Sequence, residues 1–270
     1  WGLFKAVTAA RLIHRPDLEI NNGDVFDEGD ISSPKEYRAA ISRYRRIFGA
    51  GSAETHPRVL VTVGNHDVGN HVHASAEHLR LFEAGVGPAD AFLCLRNHSF
   101  VAINTQVLGP RAPPALRDST LRFLASPALR DQVAHCHPAR APILVQHMPL
   151  HRVTDEACGA RGNRCRNGET DALVPSAAVP AYCHVTARGV TYKALSAPLV
   201  PWDDDVVGSD QSTALLAALR PALVLSAHTH APCRTAHSLP PRPRRQLEEG
   251  LPVGGSRDPD GHAEVTREVP

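Results

Sequence analysis

The chain has no excess of either charge: its 270 residues carry 29 Lys and Arg against 28 Asp and Glu, a formal net charge of +1. No strong field therefore draws it to nucleic acid or to anionic lipid. It has no run of about 18 apolar residues, so no transmembrane helix lies within it. The opening Trp1-Gly2-Leu3-Phe4-Lys5 has neither a signal-peptide pattern nor an initiator methionine, and it reads as a piece of a longer chain. No Cys-x-x-Cys occurs among Cys94, Cys136, Cys158, Cys165, Cys183 and Cys233, which argues against a zinc ribbon; the even count permits disulfides. There are no internal repeats. What is present is 42% hydrophobic residues, enough for a sizeable core in one large or two small domains. There are also 16 histidines, of which His66, His71, His73 and His78 fall close together.

The chemistry gathers on Gly64-Asn65-His66-Asp67, which follows the β-branched run Val59-Leu60-Val61-Thr62-Val63. Such a run reads as a buried strand, and ligands of open α/β sheets bind where strands end. Three more apolar runs end in polar clusters. Leu18-Glu19-Ile20 leads into Gly23-Asp24, Ile143-Leu144-Val145 into Gln146-His147, and Leu223-Val224-Leu225 into His228-Thr229-His230. Taken singly, Asp24 suits a turn and His147 a satisfied core histidine. Alternate residues at a strand end point the same way, so His228 and His230 make a better pair of ligands. Asp, Asn and His together suit Mn²⁺, Fe or Zn²⁺. Two such cations clamp a phosphoryl group and acidify water, and an imidazole supplies the proton for the leaving oxygen. His71, His73 and His78 have no comparable support and read as a solvated helix entry.

In order, residues 3–13 read as a helix and 18–20 as a strand. A helix from Ser33 to Gly49 has a capping box at Ser33 and Glu36, Pro34 in its first turn and glycine at its end. With the strand at 59–63 this makes a β-α-β unit with parallel strands. A helix follows from Ser75 to Gly85, then a hairpin of 92–95 and 99–104 around Arg96-Asn97-His98. Residues 107–118 read as Pro-rich loop, 121–124 as a weak helix and 143–146 as a strand. Residues 152–208 form a loop-rich insert. Ser209 or Asp210 caps a helix that stops at Pro221, and 223–225 is a strand. The expected domain is 1–239, with 240–270 a disordered tail.

These motifs resemble the calcineurin-like metallophosphoesterase superfamily, whose signature runs Asp-x-His, Gly-Asp-x-x-Asp, Gly-Asn-His-Asp/Glu, a lone His and Gly-His-x-His. Four of the five blocks stand between Gly23 and His230. Gly23-Asp24-Val25-Phe26-Asp27-Glu28-Gly29, Gly64 to Gly69, Gln146-His147-Met148-Pro149-Leu150 and Pro221 to His230 are similar, more narrowly, to the branch that remodels GPI anchors. The resemblance implies an α/β fold, a four-layer α/β/β/α sandwich of two mixed sheets, here lacking its first strand. It implies two divalent metal ions, Mn²⁺ first, with Fe or Zn²⁺ as alternatives. Asp24 matches the bridging ligand, Asn65, His147 and His228 ligands of one metal, and His230 a ligand of the other. His66 matches the proton donor and Asp27 the carboxylate that pairs with it.

The implied activity is removal of ethanolamine phosphate, a phosphodiester, from the glycan of GPI-anchored proteins. The implied setting is the lumen of the early secretory pathway, with transmembrane segments outside these residues and no nucleic-acid partner. Asn97-His98-Ser99, a glycosylation sequon, fits that setting, and Cys158 and Cys233 could pair there. Two departures stand out. The Asp-x-His block would fall before Trp1, which leaves a catalytically dead binding scaffold as the rival reading and a general phosphodiesterase as a third. Ala227 replaces the family's glycine, at a cost of about 1 kcal/mol if that position needs positive φ. Glu28 stands where protein phosphatases carry Arg, against that substrate class.

Overall fold

In a computed structural model the described residues are 2–49, 57–152, 181–186, 189–194, 206–229, 234–239 and 265–269. The chain begins with α1 (Gly2–His14), β1 (Leu18–Asn21), α2 (Pro34–Phe48) and β2 (Arg58–Val61). The helical turn α3 (Asn65–Val68), helix α4 (Ala76–Gly85) and the hairpin of β3 (Ala91–Leu95) and β4 (His98–Ile103) follow. Then come α5 (Pro114–Ala125), α6 (Pro127–Cys136), β5 (Ile143–Gln146) and a second hairpin of β6 (Ala181–Thr186) and β7 (Gly189–Ala194). Helix α7 (Ser209–Leu219), β8 (Leu223–Leu225), β9 (Thr235–Ser238) and β10 (Val265–Val269) complete it.

The strands form a parallel pair, β1–β2, and a mixed six-stranded sheet in the order β3-β4-β5-β8-β10-β9. Alternation along each strand explains how they stack. Leu18, Ile20 and Leu60 on one face of the pair meet Phe100, Ala102, Ile143 and Val145 on the large sheet. The opposite face of the pair, Val59, Val61 and Val63, packs on Tyr37, Ile41 and Tyr44 of α2 and Phe82 of α4. On the far side of the large sheet, Val101, Ile103, Leu144 and Val224 pack on Phe123 of α5, Leu129 of α6 and Leu215 and Leu216 of α7. The layers therefore run helix, sheet, sheet, helix.

Several elements keep their expected signals. The side chain of Ser33 accepts from Glu36 N while Glu36 returns to Ser33 N, and Gly49 closes α2 at φ 63°. Ser75 caps α4. Others depart. The 107–118 stretch contains the start of α5, because Pro114 sits at a first-turn position where no N–H is needed. Helix α6 starts the same way, with Ser126 as cap and Pro127 behind it. Gly208 takes the cap position of α7, so Ser209 and Asp210 lie inside the helix. The β6–β7 hairpin falls within the segment expected to be loop-rich. Strand β10 falls within the expected disordered tail, pairing parallel with β8 and antiparallel with β9. Local polarity hid it: Val265-Thr266-Arg267-Glu268-Val269 has few apolar residues, and it is placed by the edges it joins. Helix α1 forms as expected but buries none of its residues; Arg11 ties it to Glu19 of β1 at 2.6 Å.

Cys94 of β3 and Cys136 at the end of α6 form a disulfide across the edge of the large sheet. Cys158 and Cys233 lie outside the described residues.

Candidate metal centre

Four loops leave the carboxyl ends of β1, β2, β5 and β8 and converge. Gly23 (φ 90°) turns the chain after β1, and a Cβ there would lie 2.7 Å from both Gly64 N and His147 Nδ1. Gly64 admits no side chain either, since its Cβ would overlap Asp24 Oδ1 and N. These two glycines let the first two loops touch. Asp24 (φ 51°) and His228 (φ 68°) both hold left-handed backbone conformations, uncommon without glycine.

The side chains gather around the Nε2 atom of His147. It lies 3.3 Å from Asp24 Oδ2, 3.1 Å from Asn65 Oδ1 and 3.2 Å from His228 Nδ1. The ligand atoms of Asp24, His147 and His228 all fall within 4.8 Å of one another. The other ring nitrogen, His147 Nδ1, is 2.6 Å from the main-chain carbonyl of Asn22. A carbonyl only accepts, so Nδ1 carries the hydrogen and neutral His147 turns a lone pair inward. That lone pair faces a carboxylate oxygen and an amide oxygen, so acceptor meets acceptor. Either an extra proton or a cation must sit among them, and this donor set of O, O, N and N suits a divalent metal. His147 is 1% exposed and its second nitrogen is already fixed by a carbonyl, as metal-binding imidazoles commonly are.

Asp24 is held below the usual carboxylate range. Burial pushes it up, but with the extra proton on His147 that ring's hydrogen bond and charge, with the His66 N–H at 3.0 Å, outweigh that. His66 itself is exposed, and its Nδ1 donates to the main-chain carbonyl of Asp27 at 2.6 Å. The pairing expected with the Asp27 carboxylate is therefore made by the Asp27 backbone instead. The tight Gly29 turn explains this, because Gly29 packs where a Cβ would lie 2.8 Å from the His66 carbonyl and so draws the backbone of the loop against α3. The structure thus brings together Asp24, Asn65, His147 and His228, and places His66 beside them. His230 lies outside the described residues. Ala227 is not among the residues with positive φ, so alanine there carries no left-handed backbone penalty.

Two participants have roles that the sequence does not assign. Asn22 supplies the carbonyl for His147, and its side chain donates to Ser226 O at 3.3 Å, tying the first loop to the last. Asp67 is fully buried and accepts from Phe26 N at 3.1 Å and Gly64 N at 2.8 Å. It clamps the first loop to the second, and burial pushes its carboxyl up to about 7. Tyr37 donates to the Asp67 carbonyl from beneath at 3.0 Å. The signal for Asp67 was its place as the last residue of the Gly-Asn-His-Asp block, three residues after Gly64, where a carboxylate reaches back to a helix-start amide.

With this geometry in hand, comparison with known proteins decides the family. Residues 2–232 match the calcineurin-like phosphoesterase family. The chain belongs to that family. It is 29% identical over 249 residues to metallophosphoesterase 1 of Rattus norvegicus, covering 88% of this chain and 55% of the relative. The Mus musculus protein of the same name is 29% identical over 251 residues, again 88% of this chain and 55% of the relative. The Xenopus laevis protein is 28% identical over 258 residues, 88% of this chain and 56% of the relative. The chain therefore spans about half the length of the curated relatives it matches. Membership carries phosphoester hydrolysis as the general chemistry of the family and divalent metals as its usual cofactors.

Proposed function

We propose that the protein is a dinuclear-metal phosphodiesterase whose substrate is an ethanolamine phosphate diester on the glycan of GPI-anchored proteins. The observation that carries the metal part is the cluster of acceptors around His147 Nε2, which needs positive charge at its centre. Asp24, Asn65, His147 and His228 would hold one cation, and Asp24 with His230 would serve a second, Mn²⁺ being the first choice. Bound there, the cations offset phosphoryl charge and lower the pKa of a water nucleophile. His66 is the proton donor. Its Nδ1–H is committed to the Asp27 carbonyl, which fixes the ring and leaves Nε2 to carry a proton to the leaving oxygen. The exposure of His66 leaves it open to a substrate, whereas His147 is sealed from water.

The substrate and the compartment rest on likeness to metallophosphoesterase 1 and on the Cys94–Cys136 disulfide, which suits an oxidising lumen. The test is release of ethanolamine phosphate from a GPI glycan by the full-length protein with added Mn²⁺. Asp24→Asn should lower the rate by more than about 100-fold, since even partners one shell further out are worth 10–100-fold. An Asp24→Asn protein as active as the wild type would reject the assignment.

A further inference from the structure

The site does not use the hairpin turn between β3 and β4, and that turn carries Asn97-His98-Ser99. It is the only Asn-x-Ser/Thr triplet in the sequence. We propose that Asn97 carries an N-linked glycan, an inference that rests on the lumenal setting proposed above.

Three observations support it. Arg96 (φ 50°) and Asn97 (φ 61°) form a two-residue turn with both residues left-handed, which puts Asn97 at the tip of the hairpin with its side chain exposed. The turn lies at the rim opposite the metal loops. Strand β4 runs parallel to β5 and β8, whose far ends lead to His147 and His228, and Asn97 precedes the near end of β4. Arg96 reaches Asp17, ahead of β1, at 3.0 Å, consistent with that rim. A bulky sugar there would leave the site open. Lastly, the Cys94–Cys136 disulfide stands at the base of the same hairpin, so the segment is built for a compartment in which glycan transfer and disulfide formation occur together.

The step is a group transfer from a polyprenyl-diphosphate-linked oligosaccharide. The Asn97 Nδ2 atom bonds to the anomeric carbon of the first sugar and loses one proton. The bond from that carbon to the diphosphate oxygen breaks, and the polyprenyl diphosphate leaves with the electron pair. Ser99 is 4% exposed in the folded chain, with its hydroxyl 3.5 Å from the Val133 carbonyl. The triplet is therefore available only before β4 settles against β5 and α6, so transfer precedes folding of this edge.

Full-length wild type and Asn97→Gln are to be expressed in cultured animal cells and treated with peptide N-glycosidase, with the oxidation state of Cys94 and Cys136 read in parallel by alkylation and mass spectrometry. The expected result is a single-step mobility shift for wild type, none for Asn97→Gln, and conversion of the Asn97 amide to an acid on release. A second readout, on wild type alone, guards against misfolding of the variant: the Asn97 peptide is recovered with its sugar attached. Unmodified Asn97 in a protein whose Cys94–Cys136 bond is oxidised overturns the glycan and leaves the lumenal reading standing. Unmodified Asn97 with both thiols reduced overturns both.

Discussion

Replacing Asp67 by Asn tests the clamp between the first two metal loops. The wild-type carboxylate accepts from two buried amides, Phe26 N at 3.1 Å and Gly64 N at 2.8 Å. An amide side chain offers one oxygen and one NH₂, so one backbone N–H must face a donor. Leaving a buried donor unpaired costs about 1–3 kcal/mol. The wild type has its own burden, because burial pushes the Asp67 carboxyl from 3.8 to about 7. A carboxyl with a raised folded pKa binds more protons in the folded than in the unfolded state between those two values. Stability therefore falls as pH rises through that window and levels off above about 7. From pH 5 to pH 8 the loss comes to about 3 kcal/mol. Asp67→Asn has no such titration. The two proteins are compared by urea unfolding in chelator, so that no cation alters Asp67, at pH 5 and pH 8. At pH 5 the wild-type carboxyl is itself protonated and shares that mismatch, so the two proteins should be close, and by pH 8 the variant should gain about 3 kcal/mol on the wild type. The remaining ionisable groups are common to both proteins and cancel in the difference. A gap that stays constant to within about 0.5 kcal/mol, the usual additivity error, would refute the argument that this carboxyl is buried against its charge.

Other perturbations follow from the same geometry. The Cys94–Cys136 bridge spans a sequence separation of 42. Closing such a loop in the unfolded chain is worth about 4 kcal/mol, so Cys136→Ser should lower the thermal midpoint by several degrees, read by calorimetry with and without reductant. Gly64→Ala places a Cβ on Asp24; it should weaken Mn²⁺ binding at least tenfold by titration calorimetry, while Gly87→Ala, with open space around it, should change nothing.

What could be read from the sequence was decided by how local each signal is. The strands ending at Gly23-Asp24, Gly64-Asn65, His147 and His228 were visible because a β-branched run followed by ligand residues is a local pattern. The structure then brings those ends together. The capping box at Ser33 and Glu36 likewise lies within a single turn. Sequence reading reaches only 121–124 of α5 and none of α6, because proline in a loop-like stretch hides that a first-turn proline favours a helix. Strand β10 needed the edges of β8 and β9, which no local window contains. At the site, the side-chain residues followed from spacing, but main-chain partners did not. The carbonyls of Asn22 and Asp27 that orient His147 and His66 depend on backbone paths, and any residue type offers a carbonyl.

Asp24 and His228 reach the centre only by adopting a left-handed backbone, a posture that costs a non-glycine residue about 1 kcal/mol or more. Fold and chemistry therefore disagree about what belongs at those two positions. A variant library sorted on heat tolerance alone would drift toward Gly or Asn at 24 and 228, and the survivors would be sturdier proteins with the centre emptied of its donors.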